Sequence, residues 1–213
     1  MTADAHALQP VADTGHGTTI PAGGHQVRGG ISNPVLGMLL FITSEVMFFS
    51  GLFAAYFSTR AANTPWPPAQ FKDTLNPLSL ILIATLVLVL SSFTCQFAVW
   101  SIRRGDRTGF IRNISITFVL GIVFLLLQAY DYTVLFSEGM TIASGPFGTT
   151  YFTLTGFHGA HVFGGVLMLG VILYRGMSGQ FSARHHDAVE AVSFYWHFVD
   201  VVWIILFSVL YLL

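Results

Sequence analysis

The chain has 213 residues, of which 54% are hydrophobic and 9% are charged, with a formal net charge of -1. A soluble domain carries roughly 25% charged residues, so this composition excludes an ordinary water-soluble protein. The small net charge leaves no basic surface of the kind that binds nucleic acid, and a single cysteine excludes an internal disulfide.

The first segment, residues 1–33, is polar and rich in small residues. It contains no apolar core, so it predicts a flexible tail and not a signal peptide. Its histidines, His6, His16 and His25, are irregularly spaced, and we expect no metal site there. Residues 34–213 show no internal repeat and predict one membrane domain.

Five apolar stretches follow, each long enough for the roughly 20 residues that a helix needs to cross a bilayer. In chain order they are 34–57, 76–100, 111–136, 149–174 and 190–213. Backbone in lipid must satisfy its own hydrogen bonds, and these runs are too continuously apolar for a β-barrel. The sequence therefore predicts an all-α bundle of five transmembrane helices.

Proline positions agree with these bounds. Pro34 and Pro77 stand at the starts of the first two spans, where a missing N–H costs little. Pro65, Pro67 and Pro68 prevent the first connection from continuing a helix.

The cationic residues predict the orientation. The side shared by the tail and the second and fourth connections carries Arg28, Arg103, Arg104, Arg107, Arg112, Arg175 and Arg184. The other side carries Arg60 and Lys72. By the positive-inside rule, we expect the N-terminus in the cytoplasm and the C-terminus outside.

Ionisable side chains inside the membrane need an explanation, since each costs about 2.5–3.5 kcal/mol on insertion scales. Glu45 on the first span, His161 on the fourth and Asp200 on the fifth fall near mid-depth at about 1.5 Å per residue. His158 and His197 lie three residues from His161 and Asp200, on the same helix faces.

Further polar groups are Gln128, Tyr130 and Asp131 toward the outer end of the third span, and Gln96 toward the inner end of the second. Two interpretations are open for the buried set. Two histidines and two carboxylates converge on a metal ion, or the groups bond across helices without one. The absence of a repeated Glu-x-x-His unit favours the second. A buried carboxyl such as Glu45 can also exchange protons near neutral pH.

Small residues recur on the fourth span. Gly156, Ala160 and Gly164 repeat every four residues and form a stripe that lets another helix approach closely. Gly159 and Gly165 widen the stripe.

The fifth span carries large aromatics. Trp196, Trp203 and Tyr211 are candidates for an interfacial aromatic belt, although Trp203 lies too deep and is expected to pack inside the bundle. Cys95, inside the second span, is expected to be a small buried side chain.

Three segments carry a resemblance to a known family. They are 44–51 (SEVMFFSG), 156–162 (GFHGAHV) and 194–203 (FYWHFVDVVW). These long strings, in this order across the membrane domain, resemble subunit III of the haem–copper oxygen reductases. The segments 91–96 (SSFTCQ) and 104–106 (RGD) look most like actinobacterial cytochrome c oxidase subunits.

This resemblance implies an accessory subunit with no haem or copper of its own, because both lie in neighbouring subunits. It implies packing on the catalytic subunit I, beside subunit II and small subunits, in the bacterial plasma membrane. It further implies bound phospholipid and support of proton uptake and sustained turnover. The oxidase itself would reduce oxygen to water and pump protons, with electrons from cytochrome c or a cytochrome bc complex. A quinol oxidase subunit III is the alternative, followed by a proton-coupled transporter, which would usually show broken helices.

The resemblance also assigns residues. Glu45 matches the family's carbodiimide-reactive carboxyl, and we expect it within reach of His161 or another of these polar groups. The candidates for a proton or lipid-cleft role are Glu45, Asp131, His158, His161, His197 and Asp200. Many relatives have seven helices, and we expect this chain to begin at the third. One wall of their lipid cleft is then absent or comes from another subunit.

Overall fold

The computed structural model describes residues 32–68 and 80–213. Within these residues, five helices are long and apolar enough to cross a membrane, which confirms the predicted all-α bundle. They are α1 (Asn33–Ala62), α2 (Leu80–Arg103), α3 (Arg107–Ser137), α4 (Pro146–Met177) and α5 (Asp187–Phe207), which a short π-helix (Ser208–Leu212) extends.

Some sequence predictions lie outside the described residues. These are the tail with its three histidines, and the start of the second span at Pro77. The orientation across the membrane stays a prediction.

The helix ends follow local chemistry. The first turn of α1 contains Pro34, and the helix ends at Ala62, before the proline-rich connection, as predicted. Asp106 caps α3, its side chain accepting a hydrogen bond from the Gly109 N–H at 2.8 Å. Several helices run past the predicted spans because polar residues at the membrane boundary continue the helix, although hydropathy excludes them from an apolar run.

The fifth helix organises the bundle. It contacts α1, α2 and α4, while α3 packs on α2 and α4. Trp196 and Trp203 are buried, with 0% and 2% of their surface exposed. Their indole N–H groups donate to the Ser91 and Thr85 hydroxyls, each at 3.0 Å. The prediction that Trp196 belongs to an interfacial aromatic belt is therefore wrong, because its indole is hydrogen-bonded between α2 and α5. The prediction that Trp203 packs inside the bundle is confirmed.

Two glycines allow the Trp196 ring to fit. A Cβ on Gly121 of α3 would lie 2.7 Å from Cη2 of Trp196. A Cβ on Gly165 of α4 would lie 2.8 Å from Cε3 and Cζ3 of the same ring. Either position leaves no room for a side chain, so α3, α4 and α5 meet at this indole.

The stripe predicted on α4 has looser surroundings. A Cβ on Gly156 would meet only the Tyr132 hydroxyl, at 3.7 Å, and one on Gly164 only the Tyr195 hydroxyl, at 3.6 Å. Ala160 is exposed. Close approach of another helix along this stripe stays a prediction.

Candidate functional site

Glu45 and His161 form a pair between α1 and α4. The Glu45 Oε2 and His161 Nε2 atoms lie 2.8 Å apart, and the two side chains are 18% and 16% exposed. The rings of Phe48 and Phe49 lie beside the imidazole, with centroids 6.0 and 5.0 Å away. The Tyr195 hydroxyl donates to the His161 carbonyl at 3.0 Å, which brings α5 to the same place. The expected approach of Glu45 to His161 is confirmed.

The other ring nitrogen of His161 fixes the proton count of this pair. His161 Nδ1 lies 2.7 Å from the Phe157 carbonyl oxygen, which can only accept, so Nδ1 carries a proton. One more proton must lie between Nε2 and Glu45. If this proton is on Glu45, the pair is a neutral carboxylic acid and a neutral imidazole. If it is on Nε2, the pair is a carboxylate and an imidazolium. The pair therefore holds one proton that both residues share.

His158 has different neighbours, although it lies only three residues from His161. It is 0% exposed, and its ring stacks on Trp203 with centroids 4.9 Å apart and meets Phe124 edge-on at 5.9 Å. Neither ring nitrogen has a hydrogen-bond partner among the residues that the structure describes. Its surroundings are those of a core aromatic.

His197 and Asp200 lie at the contact of α5 with α2. His197 Nδ1 lies 2.6 Å from the Ser92 hydroxyl oxygen, and Nε2 lies 3.3 Å from Gln96 Oε1. Asp200 is 4% exposed, and within residues 32–68 and 80–213 neither carboxyl oxygen has a hydrogen-bond partner. All four side chains border one cavity of about 350 Å³.

Asp131 belongs to a third group, on α3. The Tyr151 hydroxyl donates to Asp131 Oδ2 at 3.4 Å and also contacts the Tyr211 hydroxyl. The π-helix at the end of α5 carries Tyr211. The sequence indicated Asp131 but not its tyrosine partners, because their proximity depends on how α3, α4 and the π-helix meet.

The metal interpretation required two histidines and two carboxylates to converge. Among the described residues, no three His, Cys, Asp or Glu side chains are grouped so that they could hold a metal ion. Glu45 and His161 instead pair with each other, while His197 bonds to Ser92 and Gln96. Glu45, His161 and His197 thus make hydrogen bonds between helices, while His158 and Asp200 make none within the described residues.

Comparison with known proteins gives consistent matches. The family model "Cytochrome c oxidase subunit III" matches residues 14–213. The chain is 46% identical over 177 residues to the probable cytochrome c oxidase subunit 3 of Mycobacterium tuberculosis (strain ATCC 25618 / H37Rv), and the alignment covers 83% of this chain and 86% of the relative. It is 44% identical over 181 residues to the cytochrome c oxidase subunit 3 of Corynebacterium diphtheriae, with 83% of this chain and 86% of the relative covered. It is 43% identical over 180 residues to the cytochrome c oxidase subunit 3 of Sus scrofa, with 82% of this chain and 67% of the relative covered.

Proposed function

Because this chain belongs to the cytochrome c oxidase subunit III family, it is an accessory membrane subunit of a haem–copper oxidase, and we propose that its Glu45–His161 pair supports proton uptake and sustained turnover. Subunits of this family carry no redox centre, so oxygen is reduced elsewhere in the complex. The contribution of this chain must come from packing, lipid contacts or its protonatable groups.

In this proposal the chain packs directly on the catalytic subunit I, with subunit II and small subunits in the same assembly. The assembly lies in a bacterial plasma membrane, with the N-terminal tail in the cytoplasm, and receives electrons from cytochrome c or through a cytochrome bc complex. The family and the arginine distribution support this placement. Phospholipid covers the free side of α1, which exposes large apolar residues such as Leu40 (65%) and Met47 (73%).

The single shared proton of the pair carries the functional proposal. Both side chains are partly exposed, so the proton is not sealed inside the bundle. A carboxyl and an imidazole at 2.8 Å can pass that proton between them without any movement of the helices.

Replacement of Glu45 by glutamine tests this role. The glutamine amide can still donate to His161 Nε2, so the contact between α1 and α4 is kept while the carboxyl proton is lost. We expect Glu45→Gln oxidase to assemble with normal haem content, but to inactivate after several-fold fewer turnovers and to take up protons more slowly.

The matched control is Glu138→Gln, which removes an exposed carboxyl at the end of α3. It should behave as the parent does in both assays. Parent-like turnover and proton uptake in Glu45→Gln would contradict the proposal and leave the pair as a structural hydrogen bond.

A further inference from the structure

A line of polar side chains follows the face of α5 that meets α2. Its members recur at intervals of three, four or seven residues, which places those of each helix on one face. On α5 they are Glu190, Ser193, His197 and Asp200, preceded by His186 at the N-terminal cap, and on α2 they are Ser92, Gln96 and Arg103. We call these eight residues the α2–α5 seam.

One end of the seam is open. Arg103 Nη2 lies 2.8 Å from Glu190 Oε1, and the Arg103 side chain is 50% exposed. His186 Nε2 lies 3.1 Å from the same Glu190 oxygen. These polar groups lie where α2 ends and α5 begins, at the boundary of the apolar spans.

Two cavities continue the seam from this end. The first, of about 40 Å³, is bordered by Arg103, Glu190 and Ser193, and by Gln96 and His197. The second, of about 350 Å³, shares Gln96 and His197 and continues to Ser92 and Asp200. A water molecule needs about 10–15 Å³ in such a measure and two or more polar partners. The smaller cavity meets both requirements beside Gln96 and His197, whereas the larger one is bordered mostly by apolar atoms.

The other end of the seam is Asp200. It lies about 20 Å along the helix from Asp187, at 1.5 Å per residue. It is buried, and neither carboxyl oxygen has a partner with hydrogen-bond geometry in the described part of the chain, although the Ser92 hydroxyl lies nearby. Its titratable neighbours are Cys95 on α2 and His197 on α5. An uncompensated carboxylate in apolar surroundings is costly, so Asp200 can exchange a proton only where water or a polar group reaches it.

We propose that the α2–α5 seam is a water-assisted proton path that loads and unloads Asp200 from the Arg103–Glu190 end of the bundle. His197 Nε2 faces the Gln96 side-chain oxygen and so carries a proton, while Nδ1 accepts from the Ser92 hydroxyl. In unloading, the Asp200 acid passes its proton through the Ser92 hydroxyl to Nδ1, and the imidazolium releases the Nε2 proton to water in the smaller cavity, from which it leaves beside Glu190. Loading is the reverse, and it returns a proton to the Asp200 carboxylate.

The outer rim of the larger cavity is apolar and exposed, with Phe93 at 59% and Val201 at 54%. A lipid chain or a partner helix is therefore the competing occupant of this cavity. With such an occupant, the Asp200 carboxyl would not exchange its proton with water along the seam. The rate of this exchange is what the experiment measures.

The experiment uses the complete oxidase in lipid nanodiscs and infrared spectroscopy. The carbonyl band that is lost in Asp200→Asn assigns the protonated Asp200, and the shift of this band after transfer to D₂O gives its exchange rate. His197→Phe keeps a ring without nitrogens, and Gln96→Met keeps the side-chain length without polar atoms. Thr94→Val is the control, because the Thr94 hydroxyl bonds to Thr117 on α3 at 2.8 Å and not to the seam.

We expect exchange at Asp200 to be about tenfold slower or more in His197→Phe and Gln96→Met, since positioned groups accelerate proton transfer by at least that factor. Thr94→Val should exchange as the parent does. Equal rates in all variants, or no protonated carboxyl assignable to Asp200, would overturn the proposal. If His197→Phe fails to assemble, Gln96→Met gives the answer alone. This exchange measurement does not depend on turnover, so a result that contradicts the proton path along the α2–α5 seam leaves the proposal for Glu45 unaffected.

Discussion

Replacing Gly165 by alanine will destabilise the bundle, whereas the same change at Gly156 will not. The new Cβ at position 165 would lie 2.8 Å from two carbons of the Trp196 ring, well inside the 3.5–4.0 Å or so at which carbons attract. The ring has little freedom to move, because it is buried and its N–H is bonded to Ser91.

Overpacking of this kind lowers the unfolding free energy by about 1–3 kcal/mol. Replacing a glycine inside a helix by alanine raises it by up to about 1 kcal/mol. We therefore expect a net loss of about 1–2 kcal/mol for Gly165→Ala. At Gly156 the nearest atom is the Tyr132 hydroxyl, at 3.7 Å, so only the favourable helix term applies and stability is unchanged or slightly higher.

The measurement is reversible unfolding of each variant in mixed detergent micelles, followed by circular dichroism and tryptophan fluorescence. Gly121→Ala, with a Cβ 2.7 Å from the other side of the same ring, should match Gly165→Ala. Equal unfolding free energies for Gly165→Ala and Gly156→Ala would refute the packing argument.

Other predictions follow from single contacts. Trp203→Phe should lower the unfolding free energy by about 1 kcal/mol, because it removes the hydrogen bond from the indole N–H to Thr85. A double-mutant cycle with Thr85→Val in the same unfolding assay should show coupling between the two sites. Asp106→Ala, which removes the cap on Gly109, should lower the unfolding free energy by about 1 kcal/mol, and a change below a few tenths would contradict the cap. Cys95, 1% exposed, should react with maleimide only after unfolding, and rapid labelling of the folded chain would show that it is accessible.

Most of the fold could be predicted from the sequence, because a membrane span is specified locally by its own apolar run. The proline connection after α1 and the start of that helix near Pro34 were predicted for the same reason. The helix ends differ where polar boundary residues extend a helix, as at Asp187 of α5, three residues before the predicted span.

Contacts between helices were harder to predict. A spacing of three residues places His158 and His161 close on one helix, but one meets Trp203 and the other Glu45. Small residues indicated that α4 has a closely packed surface, yet Gly156 and Gly164 of the predicted stripe have looser surroundings than Gly165, where a Cβ would lie 2.8 Å from the Trp196 ring. Rotation and depth of neighbouring helices decide these contacts, and neither is encoded in a single span.

The resemblance singled out Glu45 and His161 separately, and the hypothesis that Glu45 reaches His161 or another of the buried polar groups agrees with their distance of 2.8 Å. The seam between α2 and α5 was not predicted as a unit. Its polar residues are spread over two spans, and only the packing of α5 on α2 brings Gln96 to His197.

The most direct test of the account is affinity purification in mild detergent through a tag on the N-terminal tail. The reduced-minus-oxidised optical spectrum and the copper content of the eluate are then measured. We expect haem and copper to arrive with two larger partner subunits, and to leave the tagged chain when those subunits are stripped away. A stably folded chain that purifies alone and colourless at full yield would contradict its place in an oxidase.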